Sequence, residues 1–62
     1  MIKVTRVTTY DSTKKRTSFN VNNAFESQQE AKRYFRFKFT NEGYEVIRVL
    51  IDYEEEDKWE HQ

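Results

Sequence analysis

The chain has 62 residues, no cysteine, no proline, one glycine and a formal net charge of zero. A domain of this length buries only about 60% of the surface that its unfolded form exposes, so it is marginally stable. The lack of cysteine excludes a disulfide, and with one histidine and no thiolate a structural zinc site is not expected. We therefore expect one small domain that depends on good packing or on self-association.

The N-terminal stretch MIKVTRVTTY is not a secretory signal, because it lacks a continuous apolar run and a small-residue cleavage site. No apolar run approaches the roughly 18 residues that a membrane-spanning helix needs. The sequence therefore predicts a soluble, cytoplasmic protein with no membrane partner.

Charge is distributed unevenly along the chain. Up to Phe39 there are nine basic and three acidic residues, a net charge of +6, and from Thr40 onward there are two basic and eight acidic residues, a net charge of −6. The total of zero therefore hides two oppositely charged parts. This pattern predicts a charge-polarised surface.

The first predicted element is a strand from Ile2 to Tyr10. This stretch is rich in β-branched residues and it alternates, which places Ile2, Val4 and Tyr10 on one side. Val7 breaks this parity.

A turn and a second strand follow. Residues 11–14 are polar, and the Asp and Ser side chains can bond back onto the local backbone, which is typical of a turn. Lys15 to Val21 alternates again, and Asn22-Asn23 is expected to stop this strand. The two strands together predict a hairpin.

The run RYFRFKF, residues 33–39, alternates bases and rings as a strand would. Two flanking signals favour a helix instead. Ser27-Gln28-Gln29-Glu30 fits a capping box, which starts a helix at Gln28, and Gly43 stands where a C-terminal cap requires a glycine. We therefore predict a helix across this run.

On that helix, an apolar stripe lies within an arc of about 140° and consists of Tyr34, Ala31, Phe35 and Phe39. A basic flank is formed by Lys32, Arg33 and Arg36. Phe37 falls outside the stripe. It is expected either to lie under the chain's own C-terminal segment or to be exposed in a contact surface.

The segment from Tyr44 to Tyr53 has the strongest strand propensity in the chain. Both of its sides are apolar, with Ile47, Val49, Ile51 and Tyr53 on one and Tyr44, Val46 and Leu50 on the other. A strand of this kind is usually covered on both faces, whereas only one helix is predicted.

The predicted fold is therefore α+β, with the order β-β-α-β and a three-stranded antiparallel sheet in the order 2-1-3, covered by the helix on one face. We expect one domain over residues 1–53 and an acidic C-terminal tail or short extension over residues 54–62. A homodimer through the uncovered face or an edge strand is an expected form of self-association.

The sequence contains none of the motifs that bring catalytic groups together. It has no glycine-rich phosphate loop, HExxH motif, cysteine nucleophile or serine elbow, and its carboxylate run lacks the spacing of a calcium loop. We therefore predict no enzyme activity, cofactor or metal site.

The first functional hypothesis is a protein-binding module, such as a phage- or prophage-type inhibitor or regulator. Aromatic anchors among charged residues are typical of protein interfaces. The partner would offer a basic site, as a nucleic-acid-processing protein does. The residues expected to dock are Phe37, Tyr53, Glu54, Glu55, Glu56, Asp57 and Trp59.

The alternative hypothesis is nucleic-acid binding by the basic part of the chain, with Tyr34 or Phe37 stacking on an unpaired base. The residues expected to contact phosphate are Lys14, Lys15 and Arg16 at the turn and Lys32, Arg33 and Arg36 on the helix. The zero net charge favours the first hypothesis, because it provides no long-range attraction for phosphate.

Overall fold

A computed structural model of the chain describes residues 1–55. Its elements are β1 (Ile2–Tyr10), β2 (Arg16–Phe25), α1 (Gln28–Asn41) and β3 (Arg48–Glu55). The strands form one antiparallel sheet in the order β2-β1-β3, and α1 packs against one face of it. The predicted α+β architecture is confirmed.

The central strand β1 contains an irregularity that explains the broken alternation of its sequence. Its register against both neighbours shifts between Val4 and Arg6, as at a β-bulge. Val4 and Val7 both face α1 and are fully buried, although they lie three residues apart. Tyr10 consequently lies on the opposite face, beside Arg48. The prediction that Tyr10 shares a side of the strand with Val4 was therefore wrong.

Asp11 organises the turn between β1 and β2, as predicted. Its Oδ1 accepts hydrogen bonds from the Thr13 hydroxyl at 2.7 Å and from the backbone N–H groups of Thr13 and Lys15 at 2.9 Å. These bonds, chiefly that of the Thr13 hydroxyl, lower the pKa of Asp11 below its ordinary value of 3.8. The Ser12 hydroxyl instead donates to Glu45 Oε1 at 3.1 Å.

Strand β2 continues to Phe25, so the expectation that Asn22-Asn23 ends it was wrong. Asn23 pairs with Val4 and Phe25 pairs with Ile2, at the beginning of β1. The low strand propensity of asparagine is outweighed here because β1 offers backbone partners along this whole stretch.

Helix α1 begins and ends at the predicted signals, so the helical interpretation of residues 33–39 is confirmed. The Ser27 hydroxyl accepts from the Glu30 backbone N–H at 3.2 Å. The Glu30 carboxylate reaches back to the N–H of Glu26 at 3.0 Å, one residue earlier than in a standard capping box. Gly43 follows the helix with a φ of 101°.

The core lies between α1 and the sheet. Phe35 is fully buried at its centre, and the ring of Phe39 stacks on that of Phe19 with centroids 4.2 Å apart. The fully or nearly fully buried apolar residues are Ile2, Val4, Val7, Ala31, Phe35, Phe39 and Val49.

Strand β3 begins at Arg48, four residues later than predicted, and it includes Glu54 and Glu55 of the predicted tail. Tyr44 belongs to the connection from α1, where its ring packs edge-on against Phe19 and Phe39. Tyr44, Val46 and Leu50 were expected to share one face of a long strand. Tyr44 and Val46 are instead in a loop, and Leu50 alone of the three lies in β3, on the face of the sheet opposite α1.

Candidate functional site

Tyr53 and Phe37, the two described aromatic residues of the predicted protein-docking surface, lie apart. The Tyr53 ring packs against the core, and its hydroxyl accepts a hydrogen bond from the Gln28 side chain. Phe37 is 68% exposed and lies nine residues after Gln28 on the same helix. Nine residues correspond to a rotation of about 180°, so Phe37 and the Tyr53 contact are on opposite sides of α1.

The acidic residues of that surface are only partly described. Glu54 pairs with Lys3 and Glu55 pairs with Ile2 in the β1–β3 ladder, so their side chains point to opposite faces of the sheet. Glu56, Asp57 and Trp59 lie outside the described residues. The acidic docking surface therefore stays a prediction.

The six bases proposed for nucleic acid do not form one surface. Lys32, Arg33 and Arg36 belong to α1, whereas Arg16 points from the opposite face of the sheet. Arg36 already has structural partners, because its Nη1 donates to the carbonyl oxygens of Val46 at 3.3 Å and Ile47 at 3.4 Å. It thereby fixes the loop that leads into β3.

Within residues 1–55, no element covers the face of the sheet opposite α1, which we call the open face. Its side chains form rows across the strands, each with one residue from β2, one from β1 and one from β3. From the hairpin end, these rows are Arg16–Tyr10–Arg48, Ser18–Thr8–Leu50, Asn20–Arg6–Asp52 and Ala24–Lys3–Glu54.

The first of these rows, Arg16–Tyr10–Arg48, is named here the basic row. Tyr10 lies directly opposite an arginine on each side, and the Arg48 Cζ lies 6.0 Å from the centroid of its ring. The ion pair found among residues 1–55 is Lys38 with Glu42, so neither arginine of the row is paired with a described carboxylate. Within this part of the chain, a ligand would therefore not have to displace a carboxylate from either guanidinium group.

Two exposed lysines, Lys14 and Lys15, immediately precede the basic row in the hairpin turn. The nearby acidic groups, Asp11 and Glu45, accept hydrogen bonds from neutral donors only, which do not cancel their charge. These two carboxylates stand against four bases, namely Lys14, Lys15, Arg16 and Arg48. The hairpin end of the open face therefore carries a surplus of positive charge beside an aromatic ring.

The sequence analysis named the turn bases of this candidate site, but it did not name Tyr10 or Arg48. Strict alternation placed Tyr10 on the same side of β1 as Ile2 and Val4, and Arg48 was counted inside a long strand that began at Tyr44. The parity break at Val7 was the available signal, because a bulge before it moves every later residue of β1 to the other face.

The helix carries the other exposed rings. Tyr34 is 44% exposed and lies one turn before Phe37, although part of its ring contacts Phe25. On the same helix, Lys38 Nζ donates to Glu42 Oε2 at 2.8 Å, and this hydrogen bond raises the pKa of Lys38.

Residues 1–55 contain no pocket, no cluster of possible metal ligands and no helix long and apolar enough to cross a membrane. Comparison with protein families, curated proteins and solved structures gives no match to this chain. The candidate site therefore rests on its own geometry.

Proposed function

We propose that the chain binds single-stranded nucleic acid on the open face, with the basic row and the turn residues Lys14 and Lys15 as the contact surface. The observation that supports this function best is the Tyr10 ring between two arginines that have no carboxylate partner among residues 1–55. Proteins that bind single strands combine such cationic tracks with rings on which bases stack.

The basic residues and the aromatic ring of the proposed surface have different roles in binding. Arg16, Lys14 and Lys15 neutralise phosphates, and the planar guanidinium of Arg48 can contact phosphate or stack on a base. The Tyr10 ring offers a stacking surface to one base. A single strand is required because a base inside a duplex keeps its faces stacked on its neighbours and cannot reach the ring.

A net charge of zero does not contradict this function, because phosphate contacts are made over short distances at one end of the molecule. Salt screens charges beyond about 10 Å at moderate ionic strength. The carboxylates of Asp52 and Glu54 lie in the third and fourth rows of the open face, away from the basic row. The local field at the hairpin end, rather than the total charge, is what a phosphate experiences.

Fluorescence anisotropy of a labelled single-stranded oligonucleotide tests the proposal. We expect binding at low salt, with a log–log slope against salt of about −2 to −3 for three or four phosphate contacts. Tyr10→Ala should weaken binding by about tenfold, the loss typical of one stacked base, and Arg16→Gln should also lower the salt slope.

The matched controls are Lys32→Gln and Arg33→Gln, which remove the same charge from the helix on the other face. They should leave affinity unchanged, and circular dichroism should show every variant folded. Absence of binding at low salt, or an equal loss from the helix and the basic-row variants, would overturn the proposal.

A second candidate function is protein binding through the outer surface of α1. It is favoured by Phe37, the most exposed large apolar side chain among residues 1–55, with Tyr34 one turn away. Aromatic side chains beside an arginine such as Arg33 are typical of interface hot spots. The acidic docking surface predicted from the sequence is not needed for this version.

Affinity capture with wild type, Phe37→Ser and Tyr10→Ala separates the two functions. A protein partner of the helix should be lost with Phe37→Ser and retained with Tyr10→Ala. Retention of every captured protein by Phe37→Ser contradicts this candidate, whatever the oligonucleotide measurements show.

A further inference from the structure

We propose that β3 is a self-complementary edge through which two copies of the chain form a dimer with a continuous six-stranded sheet. β3 lies at the edge of the sheet and has no neighbour on its outer side among residues 1–55. It also brings exposed apolar side chains to that edge, since Ile47, just before the strand, is 54% exposed and Leu50 is 37% exposed.

The backbone of β3 is suited to a further partner. The Asp52 carbonyl points towards β1, where it accepts from the Thr5 hydroxyl at 3.3 Å. Because alternate residues of a strand direct their backbone groups to opposite sides, those of Val49, Ile51 and Tyr53 point outward. These three alternate residues provide a row of outward-pointing backbone N–H and C=O groups, which can form a ladder with an equivalent strand of a second copy.

One antiparallel register matches the side chains of two identical β3 strands in both charge and polarity. In it, Leu50 lies opposite Leu50 of the second copy on the open face. On either side of this pair, Arg48 of one copy lies opposite Asp52 of the other. On the helix side, Val49 of each copy lies opposite Ile51 of the other, so apolar residues also meet there.

The next register, displaced by two residues, is poorer. It centres on Ile51 and pairs Arg48 with Glu54, but it places Leu50 opposite the carboxylate of Asp52. Opposite charges across strands are stabilising, whereas an apolar side chain gains nothing from a carboxylate. The register centred on Leu50 is therefore the one we propose.

The other edge, β2, is less suited to pairing. Between the partners of Val4 and Arg6, β2 contains one more residue than β1, so a bulge interrupts its ladder near Val21 and Asn22. Bulges of this kind protect edge strands from further pairing. Opposite the same two β1 residues, β3 contains no extra residue.

Such a dimer goes beyond the proposed nucleic-acid function and does not depend on it. A two-fold axis perpendicular to the sheet keeps both helices on one side and both open faces on the other. Tyr10, Arg16 and the turn lysines remain exposed, whereas Arg48 of each copy becomes paired with Asp52 of the other. In the dimer, the phosphate contacts therefore come from Arg16, Lys14 and Lys15. Sedimentation without nucleic acid therefore reports on the dimer alone.

Analytical ultracentrifugation at increasing protein concentration provides the first test. Wild type should pass from monomer to dimer. Arg48→Glu and Asp52→Lys should each raise the dimer dissociation constant by roughly tenfold or more, because two symmetry-related pairs become repulsive at once. Arg16→Glu is a matched charge reversal on the other side of Tyr10, away from the β3 edge, and it should leave the dimer dissociation constant unaltered.

Mixing the two single variants gives a sharper result. A heterodimer of Arg48→Glu with Asp52→Lys restores opposite charges at both positions, so the mixture should dimerise although neither variant does alone. A variant that had merely unfolded would not recover in this way. Monomeric wild type at every concentration, or a mixture that stays monomeric, would overturn the proposal.

The register can be measured independently because the chain has no cysteine. Leu50→Cys should form an intermolecular disulfide on mild oxidation, since directly opposed residues of a non-hydrogen-bonded pair lie about 4.5 Å apart at Cα. Ser18→Cys, in the same row of the open face but on β2, should not. Equal crosslinking of both variants would rule out the proposed edge.

Discussion

Gly43 ends α1 with a φ of 101°, in the region that residues with a Cβ rarely adopt. A Cβ built at this position would have no neighbour within 4 Å, so the obstacle to substitution is the backbone conformation and not crowding. We expect Gly43→Ala to lower the free energy of unfolding by about 1–2 kcal/mol, with a smaller loss for Gly43→Asn. Urea denaturation measures the free energy of unfolding of both variants. A Gly43→Ala variant as stable as wild type would contradict the role of Gly43 as a C-terminal cap.

Asp11 makes stability depend on pH in acid. Its pKa in the folded chain is below the ordinary 3.8, because the Thr13 hydroxyl and the Lys15 and Thr13 N–H groups bond to the carboxylate. A depressed pKa means that the stabilisation is complete above 3.8 and is lost as the pH falls through the folded-state value.

The stability difference between wild type and Asp11→Ala should therefore be constant near neutral pH and shrink in this acidic range. Denaturation at a series of pH values measures it. Asp11→Asn serves as the control, since it retains an acceptor oxygen but cannot titrate. A difference that does not change with pH would show that the carboxylate charge contributes nothing.

Helix α1 carries two phenylalanines, two residues apart, whose environments are opposite. Phe35 is fully buried, and Phe37 is 68% exposed. Phe35→Ala should lower the free energy of unfolding by about 3–5 kcal/mol, which is a large share of the stability of a small domain. Phe37→Ala should change the free energy of unfolding by less than about 0.5 kcal/mol. Thermal and urea unfolding of the two variants provides the comparison, and similar losses would mean that the helix faces the sheet differently.

The helix shows how far local signals predict this fold. Its start and end follow from Ser27, Glu30 and Gly43, because capping groups and the backbone that they bind are neighbours in sequence. The same locality explains the prediction of the Asp11 turn. Such elements can be predicted from the sequence because the interacting groups lie within a few residues of each other, so no contact with a distant part of the chain has to be known.

The strand boundaries and faces were harder to predict because they depend on partners far along the chain. Asn22-Asn23 remains in β2 because the start of β1 lies beside it. Tyr44 is outside β3 because its ring has a place against Phe19 and Phe39. The candidate site was affected in the same way, since one bulge decides the face of Tyr10.

At the scale of the whole molecule, the two signs of charge are only partly separated over residues 1–55, the part that the structure describes. The basic row and the turn lysines occupy the hairpin end of the open face, and Glu54 and Glu55 lie at the far end of β3. Glu42 and Glu45, however, lie in the segment from α1 to β3. Within the described residues, the opposite charges that are separated along the sequence therefore lie in several short surface patches.

The position of each strand in the sheet also determines the protection of its amides. We expect the slowest hydrogen exchange in β1, which is paired on both sides. In β3 the neighbours Leu50 and Ile51 form a matched pair, because only the Leu50 N–H points towards β1. At low concentration Ile51 should exchange faster, and dimerisation should slow it. Equal rates for this pair at every concentration would contradict the geometry of the edge.

The shift in β1 also gives the three strands different path lengths. Between the partners of Val4 and those of Arg6, β2 takes three residue steps, β1 takes two and β3 takes one. The extra residues bend and twist β1 and β2 locally, whereas β3 keeps the regular spacing that a further ladder needs. Two copies joined through β3 would leave only the two irregular β2 strands at the outer edges of the combined sheet. Edges of that kind resist further pairing, so growth into an open fibre is disfavoured and association ends at two copies.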